Sequence, residues 1–145
     1  MSKFTYKFES IIKVKESLEK KAQKDVAEID LLIEKQKEEY EKIVEEGKNS
    51  QHDFSYKKVH ASELQFIKAY EADIKEQLCL IMQKIEQLEI KKDEKMIELI
   101  ERTKEHKIFE ILKDNHREQF RVDENKVDMD SINEMATQKY IRGSK

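Results

Sequence analysis

The residues of this chain that could do chemistry are four histidines, one cysteine and many carboxylates. His106 and His116 stand ten residues apart, whereas two metal ligands on one helix need a spacing of about four. No HExxH, CxxC, P-loop or GxGxxG motif occurs. Carboxylates on a solvated helix also lack the apolar pocket that would shift their pKa. We therefore expect no catalytic activity, no metal site and no cofactor.

The elements that carry these residues are predicted by the composition to be helices. The 145 residues include no proline and only two glycines, and 42% of them are charged. Proline and glycine interrupt helices, whereas interspersed Glu and Lys sustain them. Because hydrophobic residues make up only 37% of the chain, a conventional globular core is not expected. The composition indicates one domain, residues 1–145, built as a coiled coil.

Charge, apolar run length and cysteine content exclude several kinds of binding partner and environment. The net charge is −3 with both signs interspersed, so no surface for nucleic acid is predicted. No apolar run approaches the roughly 20 residues that span a bilayer, so no membrane insertion is expected. Cys79 is the only cysteine, which excludes an intrachain disulfide and fits a reducing cytoplasm. We expect Cys79 to be a small packing residue beside Leu78.

The first helix is predicted from a heptad seam in the N-terminal third of the chain. Alternating steps of four and three residues trace this seam through Phe4, Phe8, Ile11, Lys15, Leu18, Ala22, Asp25, Ile29, Leu32, Gln36, Glu39 and Ile43. Gly47 and the turn-forming residues after it then predict a break. We place helix 1 at about 4–46 and the loop at about 47–58.

The second helix is predicted over about 59–138. Ser62 and Gln65 form a capping-box pattern near its start. Its seam runs through Leu64, Ile67, Glu71, Ile74, Leu78, Ile81, Ile85 and Leu88.

After Leu88 the heptad pattern changes phase. Lys92 and Lys95 occupy the next seam positions, while the apolar pattern passes to Met96, Leu99 and Thr103. We interpret this change as a stutter, which locally unwinds a supercoil.

Two long helices joined by a short loop pack antiparallel, so the fold class is an all-α coiled-coil hairpin. With the bend near His52, Phe4 lies opposite Ile100, and helix 2 overhangs helix 1 by about forty residues, or ~60 Å at 1.5 Å per residue. Because an isolated helix needs its apolar face buried, we predict a docking arm for another protein; a frayed tail or a homodimer contact is the alternative. The apolar residues of the overhang are Ile108, Phe109, Leu112, Phe120, Val127, Ile132, Met135 and Tyr140.

The same bend predicts that three aromatic residues meet near the loop. Tyr40 would face residue 64, close to Phe66 and Tyr70. Each of the three stands one step off its seam, so each is expected to be partly exposed. They either fill the seam at the hairpin tip or offer rigid contact area to a partner.

Four stretches of the chain resemble the FliJ family of flagellar export proteins. They are FTYKFESIIKVKE from residue 4, SELQFIKAYEADI from residue 62, RTKEHKIFEILK from residue 102 and ENKVDMDSINEMA from residue 124. Phe66 matches an aromatic position of the family. Its charged pattern and its terminal signature are matched by Lys107, Glu110, Leu112 and Lys113, and by Glu124, Asp128, Glu134 and Ala136. The likeness covers nearly the whole chain.

This resemblance implies a fold, a function and a set of partners. FliJ proteins form an antiparallel two-helix coiled coil similar to the stalk of rotary ATPases, in the cytoplasm and peripherally at the inner membrane of the flagellar base. The implied partners are the export ATPase hexamer, the cytoplasmic part of the membrane export gate, and export chaperones. The implied gate-binding residues are Ile33, Tyr40, Phe66 and Tyr70. The implied ATPase-ring residues are Lys107, Phe109, Glu110, Leu112, Lys113, Phe120, Glu124, Asp128 and Glu134.

The residues alone leave a second reading open. A homo-oligomeric coiled-coil spacer, or a chaperone-like protein without a motor partner, has the same composition and periodicity. A stable oligomer that protects residues 105–138 from proteolysis would favour that reading, and a monomer with an accessible C-terminal arm would favour the adaptor.

Overall fold

A computed structural model describes residues 3–55 and 60–143, with the side chains of residues 52–55 outside the description. Helix α1 covers Glu9–Ser55 and helix α2 covers Ala61–Gly143. The two helices pack against each other, and the described residues contain no strand, so the predicted all-α hairpin is confirmed. Neither helix combines the length and the apolarity that a membrane crossing needs in any described segment.

Helix α1 continues through the stretch where the sequence predicted a loop. Gly47 has no positive φ and lies within the helix. A β-carbon at this position would lie 3.5 Å from side-chain atoms of Ile74, so Gly47 faces α2 on the seam. Because the seam stays occupied there, α1 passes the predicted end at residue 46 and reaches Ser55. Residues 56–59 of the predicted loop lie outside the described residues.

Helix α2 begins one residue after His60. The backbone N–H of His60 donates to Glu63 Oε2 at 3.4 Å, and the N–H of Leu64 donates to the carbonyl of His60 at 3.0 Å. This is the N-terminal geometry in which a residue three places into the helix reaches back to its cap. The predicted capping pair, Ser62 and Gln65, instead lies inside the helix.

The described residues pack as two compact units along the hairpin. The loop unit comprises residues 20–100, and the terminal unit comprises residues 1–19 with residues 101–145. In the loop unit the helices run antiparallel, because Asp30 pairs with Lys92, and Ser50 lies farther along α1 beside Tyr70 of α2. The core of this unit, at most 9% exposed, consists of Ala22, Val26, Ile33 and Ile81.

The heptad seam of the loop unit has no stutter. Lys92, Lys95 and Leu99 are half-buried at the positions that an unbroken repeat from Leu88 predicts, whereas Met96 is exposed. Lys92 Nζ forms an ion pair with Asp30 Oδ1 at 2.7 Å. A lysine can occupy a seam position because its alkyl chain packs against the neighbouring helix while its ammonium reaches a surface carboxylate. The predicted phase change after Leu88 was therefore wrong.

In the terminal unit, the residues before α1 pack onto α2. Residues 3–6 have no regular structure and residues 7–8 form a turn. The Phe4 ring lies 5.5 Å from that of Phe120, so the predicted pairing of Phe4 with Ile100 is wrong. Helix α1 is longer than predicted, so its residues face residues of α2 further along the chain than expected. The buried residues of this unit are Tyr6 and Ile12, each 6% exposed.

Two single-residue expectations are also corrected. Cys79 is exposed, not packed into the seam, because it follows the seam residue Leu78 and points about 100° away from it. On α1 the seam passes through Ile33, which is 6% exposed, instead of the predicted Leu32, which is 48% exposed.

Candidate partner-binding surfaces

Polar side-chain contacts between α1 and α2 occur at three levels among the described residues of the terminal unit. Lys113 Nζ lies 2.7 Å from Glu9 Oε2, and Lys15 Nζ donates to Glu105 Oε2 at 2.9 Å. His106 Nδ1 lies 2.5 Å from Glu19 Oε2. Along α1 these residues alternate as acidic, basic, acidic; Glu9 and Lys15 face partners of opposite sign, and Glu19 faces the imidazole of His106. Since exposed pairs add little stability, this pattern serves chiefly to specify the register of the two helices.

The ion pair of Lys15 shifts the protonation of its partner. The pKa of Glu105 is lowered from 4.5, first because Lys15 donates a hydrogen bond to its carboxylate; the nearby positive charge of Arg102 acts in the same direction. In the loop unit, the hydrogen bond and the charge of Asp30 raise the pKa of Lys92 above 10.5. Both shifts favour the charged forms, so both pairs are intact at neutral pH.

His106 contacts two carboxylates at once. Its Nδ1 faces Glu19 of α1, and its Nε2 lies 3.1 Å from Glu110 Oε1 of α2. The hydroxyl of Thr103 also lies 3.5 Å from Glu19. The histidines looked unrelated in the sequence, but His106 falls on the unbroken heptad that continues from Leu99. If the heptad seam had been continued through charged positions, the sequence would have predicted that His106 faces α1 and lies in this cluster.

An aromatic cluster lies where the N-terminal segment meets α2. Tyr6 packs edge-on against Phe8 and His116, with ring centroids 5.7 and 5.5 Å apart. Arg117 lies over the Phe4 ring at 5.7 Å. The hydroxyl of Tyr6 is buried without a hydrogen-bond partner. These contacts join the non-helical segment to α2.

Beyond this cluster α2 continues as an arm, which we define as residues 125–143. Every residue of the arm is exposed, and the arm measures ~28 Å at 1.5 Å per residue. The predicted overhang of about forty residues is therefore too long, because Phe4 pairs with Phe120 and the non-helical N-terminal segment covers α2 to that level. The large apolar side chains of the arm, 54% to 79% exposed, are Val127, Met129, Ile132, Met135, Tyr140 and Ile141.

Most apolar residues of the arm lie on a new face of α2. We call Met129, Ile132, Ala136 and Tyr140 the outer stripe, whereas Met135 lies only about 50° from the seam. At 100° per residue, the side chains of the outer stripe centre roughly 150° around the helix from the seam that ends with Lys113 and Phe120. The outer stripe therefore cannot be a continuation of the surface that packs on α1. A helix apolar on a second face needs a second partner to cover it.

The predicted ATPase-ring residues fall into two groups. Lys107, Leu112, Asp128 and Glu134 are exposed. Four others contact residues of the terminal unit. Lys15 lies over the Phe109 ring, and Phe120 packs against Phe4. Glu110 contacts His106, and Lys113 forms an ion pair with Glu9. Glu124 is half-buried and also has a partner. Binding of a partner by any of them stays a prediction.

The predicted gate-binding residues are not all brought together. Phe66 is 67% exposed, and Tyr70, one turn later, accepts a hydrogen bond from the Ser50 hydroxyl at 3.4 Å. Ile33 is buried in the loop-unit core. Tyr40 stands ten residues before Ser50 on α1, about 15 Å from the level of Tyr70. The predicted meeting of Tyr40 with Phe66 and Tyr70 is therefore wrong, because it assumed the earlier bend.

A shallow cleft lies beside Tyr70 in the loop unit. Its volume is about 230 Å³, and its lining includes Gly47, Ile67, Tyr70 and Ile74. Gly47 opens the cleft because it has no side chain to set against Ile74. The cleft has room for one apolar side chain of a partner, and exposed Phe66 directly precedes Ile67 of its lining.

The chain matches a family model described as flagellar FliJ protein over residues 4–145. No curated protein matches it, and no solved structure does.

Proposed function

Because the chain belongs to the FliJ family and is thus a component of the flagellar export apparatus, we propose that it is a non-enzymatic adaptor between the export ATPase and the export gate. In this proposal the arm enters the ring of the ATPase hexamer, and the end near the loop contacts the cytoplasmic part of the gate. The proposal includes a role in handling export chaperones at the same apparatus.

One observation carries the ATPase end of this proposal. The arm is fully exposed although it presents six large apolar side chains, and helices in water gain most of their stability from burying such a face. The apolar side chains point in several directions around the arm, as a helix enclosed on all sides requires. A ring that surrounds the arm would bury them together.

Two substitutions in the arm test this docking. We expect Met129→Ser with Ile132→Ser to weaken binding to the purified ATPase hexamer at least roughly tenfold, about 1.4 kcal/mol. Both residues are 63% exposed, so the hairpin should remain folded. Phe109 and Phe120 are unsuitable because they pack on Lys15 and Phe4.

A matched control removes the same amount of exposed apolar surface elsewhere. Leu31→Ser with Leu80→Ser alters residues that are 65% and 53% exposed in the loop unit. This control variant should bind the ring as the wild type does. Equal binding by both double variants in calorimetry would rule out the arm as the docking element.

The gate end is proposed to bind through Phe66 and Tyr70 beside the cleft. Phe66 is 67% exposed, and aromatic side chains next to a small apolar cleft are common anchors of protein interfaces. Phe66→Ala should weaken binding to the cytoplasmic part of the gate, whereas Leu64→Ala, which alters a residue 48% exposed, should not. Unchanged gate binding by Phe66→Ala would contradict this placement.

A further inference from the structure

His106 contacts a carboxylate through each of its two ring nitrogens. Nδ1 lies 2.5 Å from Glu19 Oε2 on α1, and Nε2 lies 3.1 Å from Glu110 Oε1, one turn later on α2. A neutral imidazole has one N–H and one lone pair, whereas an ionised carboxylate only accepts hydrogen bonds. A neutral ring would therefore set its lone pair against a carboxylate oxygen at one of the two contacts. Only the doubly protonated ring donates to both.

The two carboxylates have no other cation to contact. The polar partners of Glu19 are His106 and Thr103, whose hydroxyl lies 3.5 Å from Glu19 Oε1. In the described part of the chain, neither Glu19 nor Glu110 forms an ion pair with a lysine or an arginine. A positive charge on His106 is therefore the charge that offsets these two negative ones.

The other charged groups near this level are engaged elsewhere. Lys15 on α1 and Arg102 on α2 both contact Glu105. Glu16 and Lys20 flank Glu19 along α1, and each has a contact of its own. None of these groups replaces His106 as the donor to Glu19 and Glu110.

His106 and Glu19 are shielded from water, whereas Glu110 is not. The side chains of His106 and Glu19 are 17% and 18% exposed. Because water competes little at such a contact, a charge-assisted hydrogen bond there is stronger than one on an open surface. The Glu110 side chain is 56% exposed, so it can turn into solvent when its donor is lost.

We propose that His106 is a proton-dependent latch between α1 and α2 of the terminal unit. With both nitrogens protonated, the ring holds Glu19 and Glu110 together. When the pH rises and one proton leaves to solvent, the remaining N–H stays on the closer and more buried Glu19, and Glu110 is released. Histidine is the side chain that changes charge near neutral pH, so the latch responds in that range.

The latch makes the helix pair of the terminal unit tighter at mildly acidic pH than at alkaline pH. The folded state favours the protonated ring, so its stabilising contribution is present at the lower pH and is lost as the proton leaves. The latch belongs to the terminal unit alone and does not depend on the proposed adaptor role.

Nitrogen-15 NMR of the histidine rings tests the latch in the wild-type chain. At about pH 7.5, both ring nitrogens of His106 should carry hydrogen, whereas the exposed ring of His60 should be mostly neutral. A singly protonated His106 ring at this pH overturns the proposal.

Removing one of the two acceptor charges should release the proton earlier. In Glu110→Gln, the second proton of His106 should leave at a pH lower by about 0.5 or more. The matched control is Glu134→Gln, which makes the same change on the exposed arm and should leave the titration of His106 as in the wild type. An unchanged titration in Glu110→Gln would contradict the role of Glu110 in the latch.

Hydrogen exchange tests the effect on helix pairing. His106→Gln keeps a polar side chain that cannot take up the proton. At amides of α1 around Glu19, exchange should be at least about fivefold faster in His106→Gln than in the wild type at about pH 6, and within about twofold of it at about pH 9. Because the two chains are compared at the same pH, the intrinsic pH dependence of exchange cancels.

His60→Gln is the control for this comparison, since His60 is exposed and lies outside the cluster. Its exchange around Glu19 should match the wild type at both pH values. An effect of His106→Gln that is equal at both pH values would overturn the proposal, because the ring would then act by packing alone. If His106→Gln fails to fold, the NMR measurement on the wild-type chain still decides whether the ring carries both protons.

Discussion

The rings of Phe4 and Phe120 lie 5.5 Å apart at an angle of 54°, so the non-helical N-terminal segment is held against α2 at the level where the arm begins. Arg117 lies over the Phe4 ring from one turn earlier on α2. The pair therefore lies at the end of the contact between the N-terminal segment and α2, just before the exposed arm begins.

Removing the Phe4 ring should loosen the terminal unit. We expect Phe4→Ala to cost about 1.5 kcal/mol, because it removes an aromatic pair and part of a half-buried side chain. Hydrogen exchange at the first turns of α1 measures this loss. Tyr140→Ala is the control, since Tyr140 is 79% exposed and its removal should change nothing in α1. Unaltered exchange in Phe4→Ala would mean that the ring pair does not hold the segment.

The loop unit should depend strongly on Ile81. This residue is 6% exposed, and Ile81→Ala should lower the free energy of unfolding by about 2 kcal/mol or more. Its neighbour Leu80 is 53% exposed, and Leu80→Ala should cost less than about 0.5 kcal/mol. Urea denaturation of both variants checks the contrast, and equal costs would place Ile81 outside the core.

Gly47 offers a stabilising substitution. A β-carbon there meets Ile74 at 3.5 Å, an ordinary van der Waals contact, and the backbone is helical. Gly47→Ala should therefore stabilise the loop unit by about 1 kcal/mol through helix propensity. Gly143→Ala, at the end of α2 in open space, should have almost no effect on unfolding. A destabilised Gly47→Ala variant would indicate a seam too tight for a methyl group.

The pair of Lys15 and Glu105 should respond to acid. Because the folded-state pKa of Glu105 lies below 4.5, its stabilising contribution is present above that pH and is lost as pH falls through the folded-state pKa. A carbon-detected NMR titration should therefore show the Glu105 pKa rising toward 4.5 in Lys15→Met. The Glu118 carboxyl serves as the reference, because its pKa is lowered mainly by a hydrogen bond from Arg121. The pKa of Glu118 should be the same in Lys15→Met as in the wild type. An unchanged Glu105 pKa would show that Lys15 is not its partner in solution.

The sequence by itself determined the helical content, the antiparallel pairing and the family. The chain has no proline, few glycines and a heptad repeat. These local features favour helix over any other secondary structure. The exposed apolar residues late in α2 were also predictable, because α1 is too short to pair with them. Of the candidate site residues, those that lie at the surface, as a partner contact requires, are Phe66, Lys107, Glu110, Leu112, Asp128 and Glu134.

Only the tertiary structure decided the register and the length of the arm. A helical glycine costs only about 1 kcal/mol, so α1 continues through Gly47 to Ser55, and residues of α1 face residues of α2 further along the chain than predicted. The sequence also could not predict that charged residues occupy the seam. Lys92 interrupts the apolar pattern, and only the structure shows that its Nζ lies 2.7 Å from Asp30 Oδ1. Long-range pairs such as these follow from where the chain turns, and a repeating local pattern carries little information about the turn.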